Sequence, residues 1–89
     1  VMATKKLIKF YASWCGPCKI YAKTWDKVVP TYQDQLDISN IDIDKDTSGS
    51  AAKYKIATVP TTVLVREDGS VIKKTGRLGK NELTELILS

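Results

Sequence analysis

Residues 10–19 read FYASWCGPCK and contain both cysteines of the 89-residue chain, Cys15 and Cys18. Only two residues separate them, so a disulfide between them closes a very small ring. In the chain-entropy description of disulfides, a loop of about four residues stabilises a fold by only about 2 kcal/mol, and strain reduces that value. The spacing therefore indicates a bond that is made and broken as the protein's chemistry, rather than a structural cross-link.

The residues around the cysteines predict a strand that leads into a helix. Residues 6–12 are rich in apolar, aromatic and β-branched side chains, as strands are. From Pro17 onward, apolar residues recur at spacings of three and four, and proline suits the first turn of a helix. Cys15 is therefore expected at a helix N-terminus, where free N–H groups and the helix dipole favour a thiolate.

This placement predicts different roles for the two cysteines. Thiolate is the attacking species, so Cys15 is expected to attack the disulfide of a substrate. Cys18 lies one turn further into the helix and is expected to be more buried. It would attack Cys15 in the mixed disulfide and release the reduced substrate.

The rest of the chain predicts an α/β domain with the element order βαβαββα. The first two strands need a right-handed crossover and so run parallel, whereas the Asp68-Gly69 turn signal adds an antiparallel hairpin. We therefore expect a central four-stranded mixed sheet flanked by helices. No linker or repeat divides the chain, so residues 1–89 are expected to form one domain. The predicted strands lie at about 6–12, 37–43, 61–66 and 71–75, and the predicted helices at about 17–33, through 51–54 and from near Lys80.

Residues 10–19 resemble the active-site segment of thioredoxins. Residues 57–61, ATVPT, resemble the loop in which that family places a cis proline facing the cysteines, and residues 75–77, TGR, resemble its glycine turn. The resemblance spans nearly all of residues 6–89 and implies a thioredoxin-like fold. Because only about five residues precede the first predicted strand, we expect the N-terminal strand and helix of full-length thioredoxins to be missing.

The same resemblance implies a thiol–disulfide oxidoreductase that reduces protein disulfides without a metal or a bound cofactor. It implies two kinds of partner, which are disulfide-containing protein substrates and a thioredoxin reductase that donates electrons. It also implies a cis peptide bond before Pro60. The implied substrate-binding residues are Trp14, Gly16, Pro17, Thr58, Val59, Pro60 and Gly76.

Lys9 departs from the family pattern, in which the matching buried position typically carries an aspartate that helps to move the proton of the inner cysteine. Two interpretations stay open. Lys9 either extends along an apolar stem to water, or acts beside the cysteines as an amine of lowered pKa or as a cation that stabilises thiolate. Asp42, on the same strand face as Asn40, is a candidate partner. We therefore include Lys9 with Cys15 and Cys18 among the predicted catalytic residues.

Charge and composition bear on whether the protein binds nucleic acid, a membrane or acidic partners. The formal net charge is +4, but no nucleic-acid-binding motif accompanies it, and no apolar run approaches the length of a membrane span. The stripe formed by Lys19, Lys23 and Lys27 predicts a solvated helix face, with electrostatic steering of acidic partners as the alternative. We expect a cytoplasmic monomer that binds neither nucleic acid nor membrane directly.

Three alternative functions remain open from the sequence. A glutaredoxin-like oxidoreductase fits the short length, although Gly16 and Pro17 differ from the proline and aromatic residue usual between glutaredoxin cysteines. A thioredoxin fold can also act as an accessory subunit of a larger complex, as in the polymerases of some phages. Since the chain has no histidine, a cysteine-only metal or iron–sulfur site would need a second copy of the chain to supply four ligands.

Overall fold

The computed structural model describes residues 4–89 and has the predicted order of helices and strands. The strands are β1 (Lys5–Tyr11), β2 (Leu36–Asp42), β3 (Thr61–Val65) and β4 (Val71–Thr75), and the helices are α1 (Gly16–Tyr32), α2 (Ser50–Lys53) and α3 (Lys80–Leu88). Strand β1 ends one residue before its predicted end, because the Ala12 carbonyl accepts the Cys15 N–H at 3.1 Å in the turn that leads into α1.

The four strands form one mixed sheet in the order β2-β1-β3-β4. Strand β1 pairs in parallel with β2 and antiparallel with β3, and β3 forms an antiparallel hairpin with β4. This arrangement confirms the predicted four-stranded mixed sheet. Because β1 is central, its C-terminal end delivers both cysteines to the middle of one sheet edge.

Side chains on the two faces of the sheet enter separate apolar clusters, as the alternation of a strand requires. Leu7 joins the cluster beneath α1 and α3, whereas Ile8 and Phe10 join the cluster on the opposite face. Lys9 follows the same alternation and lies on the α1 side, between Asn40 of β2 and Thr62 of β3. A row of polar residues thus crosses the sheet beneath α1.

Hydrogen bonds from side chains or to side chains stabilise both ends of α3. The Gly79 N–H donates to Glu82 Oε1 at 2.9 Å, which agrees with the predicted start of this helix. At the other end, Lys5 Nζ donates to the carbonyls of Ile87 and Ser89, each at 2.9 Å. The terminal turn of α3 is thereby joined to the first residue of β1.

No helix within residues 4–89 is both long enough and apolar enough to cross a bilayer.

Candidate active site

Cys15 and Cys18 are joined by a disulfide where β1 passes into α1, and their Cα atoms lie 5.3 Å apart. Cys15 is the N-cap residue of α1, and its Sγ accepts the Cys18 N–H at 3.1 Å. Pro17 lies in the first turn of α1, which contains no acidic side chain. When the bond is reduced, the free N–H groups and the positive end of the helix therefore favour a thiolate at Cys15.

Burial does not distinguish the two cysteines in the disulfide form. Cys15 is 4% exposed and Cys18 is 5% exposed. The expected greater burial of Cys18 is therefore not seen, because the closed ring packs as one unit against Ala12 and Val59. Their positions in α1, at the N-cap and within the first turn, are what separates them.

The loop that faces the disulfide carries the predicted cis bond, between Val59 and Pro60. The Val59 carbonyl oxygen lies 3.7 Å from Cys15 Sγ. Thr61 Oγ1 donates to the Thr58 carbonyl at 2.7 Å and fixes the approach to the proline. Within residues 4–89 the Val59 N–H has no hydrogen-bond partner, so it is open to a ligand beside the disulfide.

Gly76 borders this loop, because its N–H donates to the Pro60 carbonyl at 2.8 Å. Its φ of +83° lies in the left-handed region that glycine adopts without steric cost. A Cβ atom built at this position would meet no atom within 4 Å, so the surface beside the loop is open.

Trp14 presents most of its ring to solvent, with 67% of the residue exposed. Its Nε1 donates to Asp44 Oδ2 at 2.7 Å, which fixes the ring beside the cysteine ring. The neighbouring Gly16 and Pro17 are also exposed and extend the same surface. We did not predict the contact with Asp44. The parallel pairing of β1 and β2 could have indicated it, because the loops after two parallel strands meet at one sheet edge.

Lys9 lies in a cleft of about 290 Å³ together with Cys18, Trp25, Asp26 and Asn40. The residue is 8% exposed, and its Nζ lies 4.8 Å from the centroid of the Trp25 ring. In residues 4–89 every fully buried side-chain nitrogen or oxygen has a hydrogen-bond partner, whereas Lys9 Nζ has none, so the amine keeps contact with water in the cleft. The stem is buried, the amine lies over the Trp25 ring with access to water, and Cys18 lines the same cleft.

Within residues 4–89 the candidate partner Asp42 forms no ion pair with Lys9. Burial lowers the pKa of Lys9, and the negative charge of Asp26 opposes that shift. Asp42 lies at the end of β2, where its Oδ1 accepts the Asp44 N–H at 3.0 Å. The charge partner is therefore on α1, which covers the face that Lys9 occupies. Helical spacing could have indicated it, because Asp26 follows Cys18 by eight residues, or about two turns.

Comparison with known proteins agrees with this geometry. The sequence model of the family described as Thioredoxin matches residues 1–89. A thioredoxin of Staphylococcus epidermidis is 35% identical over 82 residues, which span 92% of this chain and 78% of that protein. A thioredoxin of Staphylococcus aureus is 34% identical over 82 residues, with the same coverage of 92% and 78%.

Solved structures give the same result. The germline-specific thioredoxin Deadhead of Drosophila melanogaster superposes with a TM-score of 0.82 at 28% identity, over 96% of this chain and 79% of that chain. Fasciola hepatica thioredoxin superposes with a TM-score of 0.81 at 26% identity, again over 96% and 79% of the two chains.

Proposed function

The chain belongs to the thioredoxin family and is a thiol–disulfide oxidoreductase, and from this premise we propose how its cysteines divide the reduction of a protein disulfide. The Cys15 thiolate attacks one substrate sulfur, forms a mixed disulfide and releases the other substrate sulfur as a thiolate. The Cys18 thiolate then attacks Cys15 Sγ and releases the second substrate thiolate. Two electrons pass to the substrate, and the Cys15–Cys18 disulfide remains. The N-cap position of Cys15 carries this assignment.

The open backbone of Val59 supports a mode of substrate binding. An extended segment of the substrate pairs with the Val59 N–H and thereby lies along the disulfide, since unpaired backbone groups bind an added strand. The residues that border Val59 are either exposed to solvent or in direct contact with the loop. They are Trp14, Gly16, Pro17, Thr58, Pro60 and Gly76.

The remaining parts of the proposal concern how the protein works in the cell. A thioredoxin reductase returns the disulfide to the dithiol, and disulfide-containing proteins are the substrates. The protein acts as a monomer and as one domain in the cytoplasm, whose thiol pool is reducing. Membership of the family supports the reductase and the substrates in general terms.

An insulin-reduction assay tests this function directly. With dithiothreitol as donor, the protein should accelerate precipitation of the insulin B chain well above the rate with dithiothreitol alone. The protein should also reduce insulin when a thioredoxin reductase and the electron donor of that reductase are used instead of dithiothreitol. The double variant Cys15→Ser/Cys18→Ser is the control and should give the uncatalysed rate. Turnover with glutathione but not with the reductase would contradict the proposal and favour the glutaredoxin-like alternative.

Lys9 is proposed to tune the cysteines from the cleft that it shares with Cys18. A cation beside the thiols stabilises thiolate and hence the reduced form, which raises the reduction potential. We expect a potential roughly 10–40 mV above the value of about −270 mV that is typical of thioredoxin. Lys9→Met should lower the potential by that amount, as measured by equilibration with a dithiothreitol redox buffer.

The same variant has a second readout in the stability of the oxidised protein. Burial lowers the pKa of Lys9 below its ordinary value of 10.5, so the unfolded chain binds more protons between the two values. The free energy of unfolding should therefore contain a term that rises with pH through this window, and Lys9→Met should lack it. Lys6→Met, at an exposed position of β1, is the matched control. An unchanged potential, turnover and pH profile in Lys9→Met would show that Lys9 has no role at the site.

A further inference from the structure

A second cleft lies directly beside the substrate-binding loop. Its volume is about 280 Å³, and its lining comes from α1 and from the turn that precedes α3. Ile20 forms an apolar wall and is 52% exposed. The cleft is continuous with the loop because Arg77 follows Gly76, whose N–H donates to the Pro60 carbonyl. The lining residues are Ile20, Tyr21, Thr24, Arg77, Leu78 and Gly79.

Positive charge lies in this cleft and at residues next to its lining in the chain. Arg77 lies in the lining, and Lys19, Lys23 and Lys80 are exposed at neighbouring positions of α1 and α3. The one ion pair of residues 4–89 joins Lys5 to Glu67 at 4.0 Å and involves none of these cations. The nearby acidic residue is Glu82 of α3, which accepts the Gly79 N–H and whose charge also acts on Tyr21, but it forms no ion pair with the basic residues. The basic side chains are therefore available to a ligand.

The opposite side of the disulfide has the reverse charge. There, Trp14 donates to Asp44. Asp42 ends β2, and Asp46 lies in the loop that follows, which also contains one cation, Lys45. A protein that docks over Cys15 therefore meets a negative surface on one side and a positive, partly apolar surface on the other. Complementary charge at such positions governs encounter and the choice of partner more than total affinity.

We propose that the cleft between α1 and the Gly76–Gly79 turn binds an acidic, partly apolar segment that flanks the disulfide of a client protein. The inference rests on the proposed function of Cys15 and adds the class of substrate. Arg77 and the neighbouring lysines contact the carboxylates of the segment. Ile20 contacts its apolar side chain. The cleft thereby selects among disulfides that the cysteines alone would treat alike.

Three peptides that share one internal disulfide and differ only in flanking residues test this selection. The flanks are glutamate with leucine, glutamine with leucine, and lysine with leucine. We expect kcat/KM to be highest for the acidic peptide. In Arg77→Gln the ratio of acidic to neutral kcat/KM should fall about threefold, as for loss of a partly exposed ion pair. Lys6→Gln removes the same charge from the start of β1, away from the cleft, and should leave the ratio unchanged.

A binding measurement distinguishes peptide binding at the cleft from disulfide reduction by Cys15 and Cys18. A cysteine-free acidic peptide is titrated into the oxidised protein, and backbone amide shifts are followed by NMR. Shifts at Ile20 and Leu78 that weaken at about 0.5 M salt would support the cleft, because salt screens exposed charges. Equal kcat/KM for all three peptides, or an absence of these shifts, would overturn the inference. Binding at the cleft without reduction of any peptide would contradict the proposed function and leave the cleft supported.

Discussion

Cys15→Ser should reduce the rate of protein-disulfide reduction by roughly 10³-fold or more, since removal of an attacking nucleophile has effects of at least this size. The serine keeps the N-cap position of α1, because its hydroxyl can accept the Cys18 N–H that Cys15 Sγ accepts at 3.1 Å. The helix should therefore survive while the thiolate is lost. Far-ultraviolet circular dichroism checks the fold, and the insulin assay measures the rate.

Cys18→Ser should give a different defect. Cys15 can still attack a substrate disulfide, but no second thiol is present to release the product. The variant should accumulate a covalent adduct of protein and substrate, which mass spectrometry detects and dithiothreitol reverses. Cys15→Ser is the matched control and should trap little. Accumulation of the adduct on Cys15→Ser instead of Cys18→Ser would show that the two roles are reversed.

Phe10→Ala should lower the free energy of unfolding by about 3–5 kcal/mol, the usual range for removal of a buried aromatic side chain. Phe10 is 0% exposed, belongs to the central strand β1 and packs with Ile8 and Val63. Its ring centroid lies 6.3 Å from that of Tyr54. The loss is a large share of the roughly 4–13 kcal/mol expected for a chain of this length. Urea unfolding of the oxidised protein measures it.

Val71→Ala is the control for Phe10→Ala. Val71 also lies in a strand, but it is 50% exposed at the start of β4, so its truncation leaves no cavity. We expect a change of less than about 1 kcal/mol. Similar urea midpoints for the two variants would contradict the central role of Phe10 in the core on the α2 side of the sheet.

Local patterns predicted most of this fold because each element has its own signal in the sequence. Alternating and β-branched residues gave the strands, and the Asp68-Gly69 pair gave the hairpin. Pro17 fixed the start of α1 near Cys15, where the structure has Cys15 as the N-cap. The loop at Pro60 depended on resemblance, since nothing in its local composition specifies a cis bond.

Contacts between distant side chains were not predicted with the same success. Lys9 and Cys18 line one cleft, but the candidate charge partner was sought on a neighbouring strand instead of the covering helix. The charge partner of Lys9 depends on which helix covers its face of the sheet. Strand alternation alone does not predict which helix that is. Asp44 was likewise missed, because its hydrogen bond to Trp14 depends on the path of the loop after β2.

The two outer strands of the sheet carry opposite charges, which has a consequence for concentrated solutions. Within residues 4–89 no strand covers the outer edge of β2 or of β4. Strand β2 contains Asp37 and Asp42, and β4 contains Lys73 and Lys74. Charged side chains protect open edges from pairing with another molecule, and here two like edges repel each other. Only a head-to-tail stack, with β2 of one molecule against β4 of the next, brings opposite charges together. Because salt screens the repulsion of like edges as well as the attraction of unlike ones, added salt should weaken this preference for head-to-tail pairing.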